Sequence, residues 1–179
     1  MYNTETLRFM YFSLVTPRSV FDYNMKTRER ELKKQYEVLG GYDPSQYQSE
    51  RVYATAPDGA RIPVSLVYRK GMVKDGTNPF YLYGYGAYGI SMDPFYDHTL
   101  LAWYEKGGIL AIAHVRGGGE YGVEWHKAGQ KATKPNTWKD FIACAEYLIA
   151  EGYTSPSKLA GTGGSAGGIL IGRAMTERP

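Results

Sequence analysis

A chain of 179 residues with 43% hydrophobic and 22% charged residues is long enough for one domain with a substantial core, or for one domain and part of another. A formal charge of +3 gives no reason to expect nucleic acid as a partner; no window approaches a membrane span, and residues 1–20 lack the basic-then-apolar layout of a signal peptide. The single cysteine, Cys144, excludes an internal disulfide and a cysteine metal cluster, which suits a reducing, cytoplasmic compartment.

Residues 1–43 read as short antiparallel strands with polar turns, at Leu7–Val15, Ser19–Met25 and Arg30–Val38. The basic run Lys26–Lys34 alternates in sign and reads as a solvated surface hairpin. Three strands cannot bury two faces by themselves, so they are expected to form part of a larger β-structure. Residues 44–49, PSQYQS, make a polar connection, and the pattern then changes. Residues 50–71 form a strand pair turning at Pro57-Asp58-Gly59. Two apolar strands follow, within PFYLYGYG (79–86) and GGILAIAHVRGGGE (107–120), and each runs into glycines. Between them a helix is predicted over His98–Lys106, closed by Gly107-Gly108.

The clearest helix lies in TWKDFIACAEYLIAEG (137–152), where Trp138, Phe141, Ile142, Ala145, Leu148 and Ile149 fall on one stripe. Thr137 with Asp140 three residues on resembles a capping box, and Gly152 ends the helix. Cys144 lies next to the stripe and reads as a buried spectator. Strands alternating with helices predict an α/β fold with a mostly parallel sheet.

Lys158–Thr162, KLAGT, reads as a short strand, and the segment from Ala166 to the proline at 179 reads as a helix. Gly163-Gly164-Ser165-Ala166-Gly167 therefore fits Gly-x-Ser-x-Gly at a strand-to-helix turn, the shape of a nucleophile elbow. A serine on so tight a turn has strained dihedrals and needs the smallest neighbours, hence glycine two residues to either side. Its hydroxyl stands clear of the sheet, and the N–H of Ala166 at the helix start points towards a developing oxyanion.

Other glycine patterns fit less well. A phosphate-binding loop needs lysine after its last glycine, and none follows here. GYGAYG matches G-x-G-x-x-G through Gly84, Gly86 and Gly89, but Ser91-Met92-Asp93-Pro94 makes a poor first turn for the helix a dinucleotide site requires. Tyr85 and Tyr88 would also crowd a pyrophosphate.

FYLYGYGAYG, GGILAIAHVRGGGEYGVEWHKAG and AEYLIAEGYTSPSKLAGTGGSAGG together resemble the prolyl oligopeptidase family of serine peptidases. YQSERVYATAPDGARIPVSLVYRKG, His114-Val115-Arg116 and GGSAGG give the likeness its strongest lean, towards the oligopeptidase B branch. The resemblance spans nearly the whole chain. It implies a β-propeller joined to an α/β-hydrolase domain, with residues 1–43 as the end of the propeller and 44–179 as the N-terminal part of the peptidase domain. It implies peptide substrates, and neither a cofactor, a metal, nucleic acid nor a membrane.

By the same resemblance Ser165 is the nucleophile, and Tyr85 and the Ala166 N–H are the oxyanion donors, with Gly163, Gly164 and Gly167 shaping the elbow. Tyr85 as a packed aromatic is the plainer alternative. Asp93 matches an acidic position that receives a basic substrate residue; before Pro94 it is equally placed as a turn residue. The partner acid of that position is replaced by Phe95. Arg116 and Glu120 flank GGG and read as a structural pair. A serine hydrolase also needs a histidine and an acid, in this fold in the order Ser, Asp, His. After Ser165 only Glu177 is acidic and no histidine follows, while His98, His114 and His126 precede it. The chain is thus expected to be a fragment whose triad Asp and His lie outside it. The expected activity is that of a serine-type endopeptidase hydrolysing short peptides through an acyl-enzyme, after basic residues. The alternatives are an esterase-like α/β-hydrolase and a catalytically inactive binding or scaffold fragment.

Overall fold

The computed structural model describes residues 3–179. Three antiparallel strands come first, β1 (Thr6–Tyr11), β2 (Ser19–Asn24) and β3 (Arg30–Gln35), forming a sheet in chain order. β1 stops short of the expected Val15, because residues 12–18 turn back through the reciprocal Ser13–Thr16 backbone bonds before Pro17. β3 is exposed along its length, as the alternating charges of Lys26–Lys34 predicted. Phe9 and Phe21 stack at 5.6 Å on this sheet, and Arg8 donates to Asp22 across the β1–β2 pair.

The second sheet has five strands in the order β4–β5–β7–β6–β8, from β4 (Tyr47–Thr55), β5 (Arg61–Arg69), β6 (Phe80–Gly84), β7 (Ile109–Ala113) and β8 (Leu159–Thr162). The connection expected over 44–49 is shorter than its polarity suggests. Only Pro44–Gln46 form a helical turn, capped by Asp43, and Tyr47 already opens β4. Burial of Tyr47 explains the early start: its ring stacks on Tyr42 at 5.3 Å and meets Tyr104 edge-on. The sheet is parallel through β7, β6 and β8 and antiparallel across β4, β5 and β7.

Helices cover both faces. α1 (Leu101–Glu105) follows a helical turn at His98–Leu100 and ends at Gly107, which has φ of +79°. α2 (Val123–Lys127), which no sequence signal announced, α3 (Pro135–Ala150) and α4 (Gly167–Glu177) complete the fold. Every residue of β7 is buried, and parity decides which face each meets. Ile109, Ala111 and Ala113 join Phe141, Cys144 and Leu148 of α3 and Leu170 of α4, whereas Leu110 and Ile112 join Tyr104 of α1. Each fully buried Leu or Phe contributes on the order of 1.5–3 kcal/mol over its exposed state.

α3 begins two residues before the expected cap. Pro135 suits the first helical position, since it has no N–H to leave unpaired. Thr137 and Asp140 therefore lie inside the helix and are fully buried, bonding to the loop after β7 and not to each other. Cys144 is central to the buried stripe, and burial pushes its thiol well above the ordinary range, so it is an inert packing residue. Ile142, Ala145 and Ile149, the outer part of the expected stripe, line an open apolar groove with β8 and α4.

Winding places the functional end. From β6 the chain crosses one face through α1 to β7, then the other face through α3 to β8, on the opposite side of β6. The carboxyl end of β6 is thus a topological switch point, where an open α/β sheet forms its ligand crevice. Tyr85 follows that strand end directly, and Ser165 follows the end of neighbouring β8.

Candidate active site

Ser165 takes φ of +52° between β8 and α4, a left-handed conformation that costs an L-residue roughly 1–2 kcal/mol. The bend is held by backbone bonds from Gly167 N–H to Gly164 C=O at 2.7 Å and from Gly168 N–H to Ser165 C=O at 3.0 Å. The serine is exposed. Ala166 is the N-cap of α4, so its N–H belongs to the set at a helix start that no carbonyl of the helix can satisfy.

The elbow glycines have separable reasons. A Cβ on Gly163 would stand 2.6 Å from the Gly167 carbonyl oxygen and 2.7 Å from that of Gly84, and one on Gly167 would stand 2.8 Å from Gly84 O. Both glycines therefore let the elbow close against the end of β6. Gly164 has open space around it, so sterics alone do not demand glycine there. Tyr85 is half-buried, and its Cα and Cδ2 lie 3.5 Å from the position a Gly167 Cβ would take. The phenol-bearing loop and the elbow are thus in backbone contact, with Ser165 two residues from the junction.

The glycines of GYGAYG serve loop packing. A Cβ on Gly117 would meet Gly86 O at 2.2 Å, one on Gly119 would meet Gly89 O at 2.2 Å, and the Gly89 N–H donates to Gly117 O at 3.0 Å. No helix opens at this loop; turns and irregular backbone run from Gly89 to Asp97. Asp93 is exposed and borders a cleft of about 160 Å³ with Arg51, His114 and Glu120. Phe95 beside it is also exposed.

Arg116 and Glu120 are both structural, but they are not partners. The Arg116 guanidinium donates to buried Asp140 at 2.6 and 2.9 Å and to Asp58 at 2.5 Å, and its N–H donates to Asp140 at 2.9 Å. Those bonds, Asp140's first, raise the Arg116 pKa, and Arg116 in turn holds the Asp58 carboxyl below the ordinary range. Burial pushes the Asp140 carboxyl up against the pull of the Arg116 hydrogen bonds. Glu120 instead approaches His114 Nδ1 at 3.4 Å and accepts the Met92 N–H at 3.0 Å. No signal at the sequence level joined residues 58, 116 and 140, because they are 58 and 24 positions apart.

Histidine placement bears on the chemistry. His114 Nε2 lies 2.8 Å from Ser65 Oγ, completing a Ser65–His114–Glu120 row that mimics a catalytic triad in its order. Ser65 and His114 are buried, and the Arg51 guanidinium also donates to Ser65 at 3.1 Å, so no substrate carbonyl can reach that hydroxyl. His126 Nδ1 is 2.9 Å from Gly117 O, and His98 is exposed on its helical turn. Among the described residues no histidine bonds Ser165. No grouping of three or more His, Cys, Asp or Glu among them is arranged to hold a metal ion, and none of their helices is long and apolar enough to cross a membrane.

Comparison with known proteins bears on the family and the fold. Residues 94–179 match the Prolyl oligopeptidase family. The chain is 44% identical over 175 residues to a prolyl endopeptidase of Elizabethkingia meningoseptica, covering 98% of this chain and 24% of that protein. It is 45% identical over 177 residues to dipeptidyl aminopeptidase BI of Pseudoxanthomonas mexicana, covering 98% of this chain and 24% of that one. Oligopeptidase B from Leishmania major superposes with a TM-score of 0.89 at 46% identity, covering 99% of this chain and 25% of that chain. The chain therefore spans about a quarter of the length of the curated relatives it matches. Similarity that runs almost from end to end, over sheet, elbow and loops alike, means that the chain belongs to the prolyl oligopeptidase family.

Proposed function

We propose that this chain is the nucleophile-bearing portion of a serine-type endopeptidase that hydrolyses short peptides through an acyl-enzyme. Ser165 Oγ attacks the scissile carbonyl. The Ala166 N–H and the Tyr85 hydroxyl bind the oxyanion as it forms, where a well-aimed donor is worth about 10²–10³ in turnover. The proton of Ser165 passes to a histidine held by an acid, both supplied by residues outside this chain; the acyl-enzyme is then released by water. The observation that carries the reading is the exposed, left-handed Ser165 at a strand-to-helix bend closed by Gly163 and Gly167 against Gly84.

The division of labour follows the two sheets: residues 1–43 end a β-propeller-like domain, and 44–179 begin the peptidase domain of a cytoplasmic enzyme. Cleavage after basic residues is supported by Asp93, exposed and with no salt-bridge partner among the described residues. The names of the relatives point to prolyl endopeptidase, dipeptidyl aminopeptidase and oligopeptidase B at near-equal identity, so similarity alone does not choose the cleaved residue.

The test uses the complete gene product. A fluorophosphonate probe should label Ser165, S165A should abolish both labelling and turnover, and arginyl peptides should be cut faster than prolyl peptides or simple esters. Absence of labelling would overturn the enzyme reading in favour of an inactive module. Ester hydrolysis without peptide cleavage would favour the esterase.

A further inference from the structure

We propose that Lys134 is a positioning residue for the oxyanion donor: its ammonium fixes the loop after β6 so that the Tyr85 phenol stays beside the elbow. The inference rests on the reading of Tyr85 given above and extends it to a side chain that acts through Tyr85.

Lys134 immediately precedes α3. Its Nζ donates to Gly86 O at 2.6 Å and lies 3.3 Å from Thr137 Oγ1. Among the described residues no carboxylate oxygen lies within salt-bridge distance of it, so a backbone carbonyl one residue beyond Tyr85 receives the charge. A charged donor makes a hydrogen bond roughly twice as strong as a neutral one. Lys134 is also half-buried, and that burial lowers its pKa. The bonds to Gly86 O and Thr137 Oγ1 offset the water its ammonium gives up.

Gly86 is also closely packed by neighbouring side chains. It has φ of +66°, and a Cβ there would meet Thr137 Cγ2 at 2.4 Å and Val115 Cγ2 at 2.6 Å. Thr137 Oγ1 in turn donates to Arg116 O at 2.8 Å. The first turn of α3 thus holds both loops at the carboxyl end of the sheet, Lys134 taking the β6 loop and Thr137 the β7 loop. Tyr85 hangs between that clamp at Gly86 and the contact with Gly167. Loosening one end lets the phenol drift, and a misplacement of about 1 Å costs up to roughly 10²-fold in rate.

Steady-state kinetics on the complete gene product with its preferred peptide test this. K134M should lower kcat about 10-fold with KM changed less than about 2-fold, the signature of an interaction made in the transition state. K134R, which keeps a charged donor, should restore most of the rate. On a Y85F background, K134M should cost less than about 2-fold, because the residue it positions no longer carries the hydroxyl. An unchanged kcat in K134M, or the same loss with and without the Tyr85 hydroxyl, would overturn the proposal. If K134M does not fold, K134Q, a neutral and shorter donor, is judged by the same criteria. Wild-type turnover in Y85F would instead remove Tyr85 as donor, and this inference with it; a slow Y85F beside a normal K134M removes this inference alone.

Discussion

At Ser165 the backbone adopts a conformation that glycine would take freely. Replacing it should therefore relieve strain while removing the attacking oxygen. S165G is expected to stabilise the complete protein by about 0.5–1 kcal/mol in chemical denaturation and to abolish fluorophosphonate labelling. The neighbouring glycines separate by contact. G163A drives a methyl group into the carbonyl oxygens of Gly84 and Gly167 and should cost about 2 kcal/mol. G164A meets nothing within 4 Å and should stay within about 0.5 kcal/mol of wild type. Equal effects at the two positions would show that the elbow does not close against β6 as described. The bend at Ser165 between β8 and α4 was legible in the sequence because backbone strain is a local demand, marked by glycines at fixed offsets from one serine. Which of those glycines is obligatory was not legible, since Gly84 O on β6, far away in the chain, confines both Gly163 and Gly167, and nothing confines Gly164.

α3 carries more than its apolar stripe. Thr137 and Asp140 read locally as a cap, yet they bond the loop after β7 from inside the helix. The buried Asp140 carboxylate faces the Arg116 guanidinium and backbone N–H, so breaking the pair from one side strands a charge. D140N is expected to destabilise the protein by about 2 kcal/mol by denaturant titration, because Arg116 keeps its burial and is left with only the exposed Asp58 as counter-charge. The double variant R116M/D140L should lose less than D140N alone, since it leaves no unpaired charge in the interior and only the exposed Asp58 without its partner. Additive losses would mean that the two residues act independently. The helix itself was recoverable from its periodicity and its terminal Gly152. Its start was not, because Pro135 at the first position outweighs a cap-like pattern two residues later.

Across the whole molecule the sheet is unevenly covered. Phe141, Ile142, Ile149, Ile171 and Met175 line an open groove of about 610 Å³ where α3 and α4 pack beside β8, and β8 stands at the edge of the sheet. Expressed alone, residues 1–179 should bind a dye specific for apolar surface and self-associate in light scattering, as an uncovered edge and groove invite. Peptide turnover by that isolated chain should fall at least about 10⁴-fold below the complete gene product, because no described histidine bonds Ser165. Turnover within about 100-fold would reveal a base inside the chain and overturn the assignment of the triad to residues outside it.

What the sequence determined by itself was much of what short-range chemistry enforces: the alternation of the main strands and helices, most turns at glycine and proline, the strand-to-helix bend at Ser165 and the motifs that mark the family. Tertiary structure decided which separated residues share an environment. It set Arg116 on Asp58 and Asp140 and not on Glu120, buried a Ser–His–Glu row where no substrate can enter, and placed Lys134 on the carbonyl beside Tyr85. The physical reason is the range of the forces involved. Dihedral strain and helical periodicity act within a few residues, while a buried charge takes whichever partner the winding of the sheet carries to it.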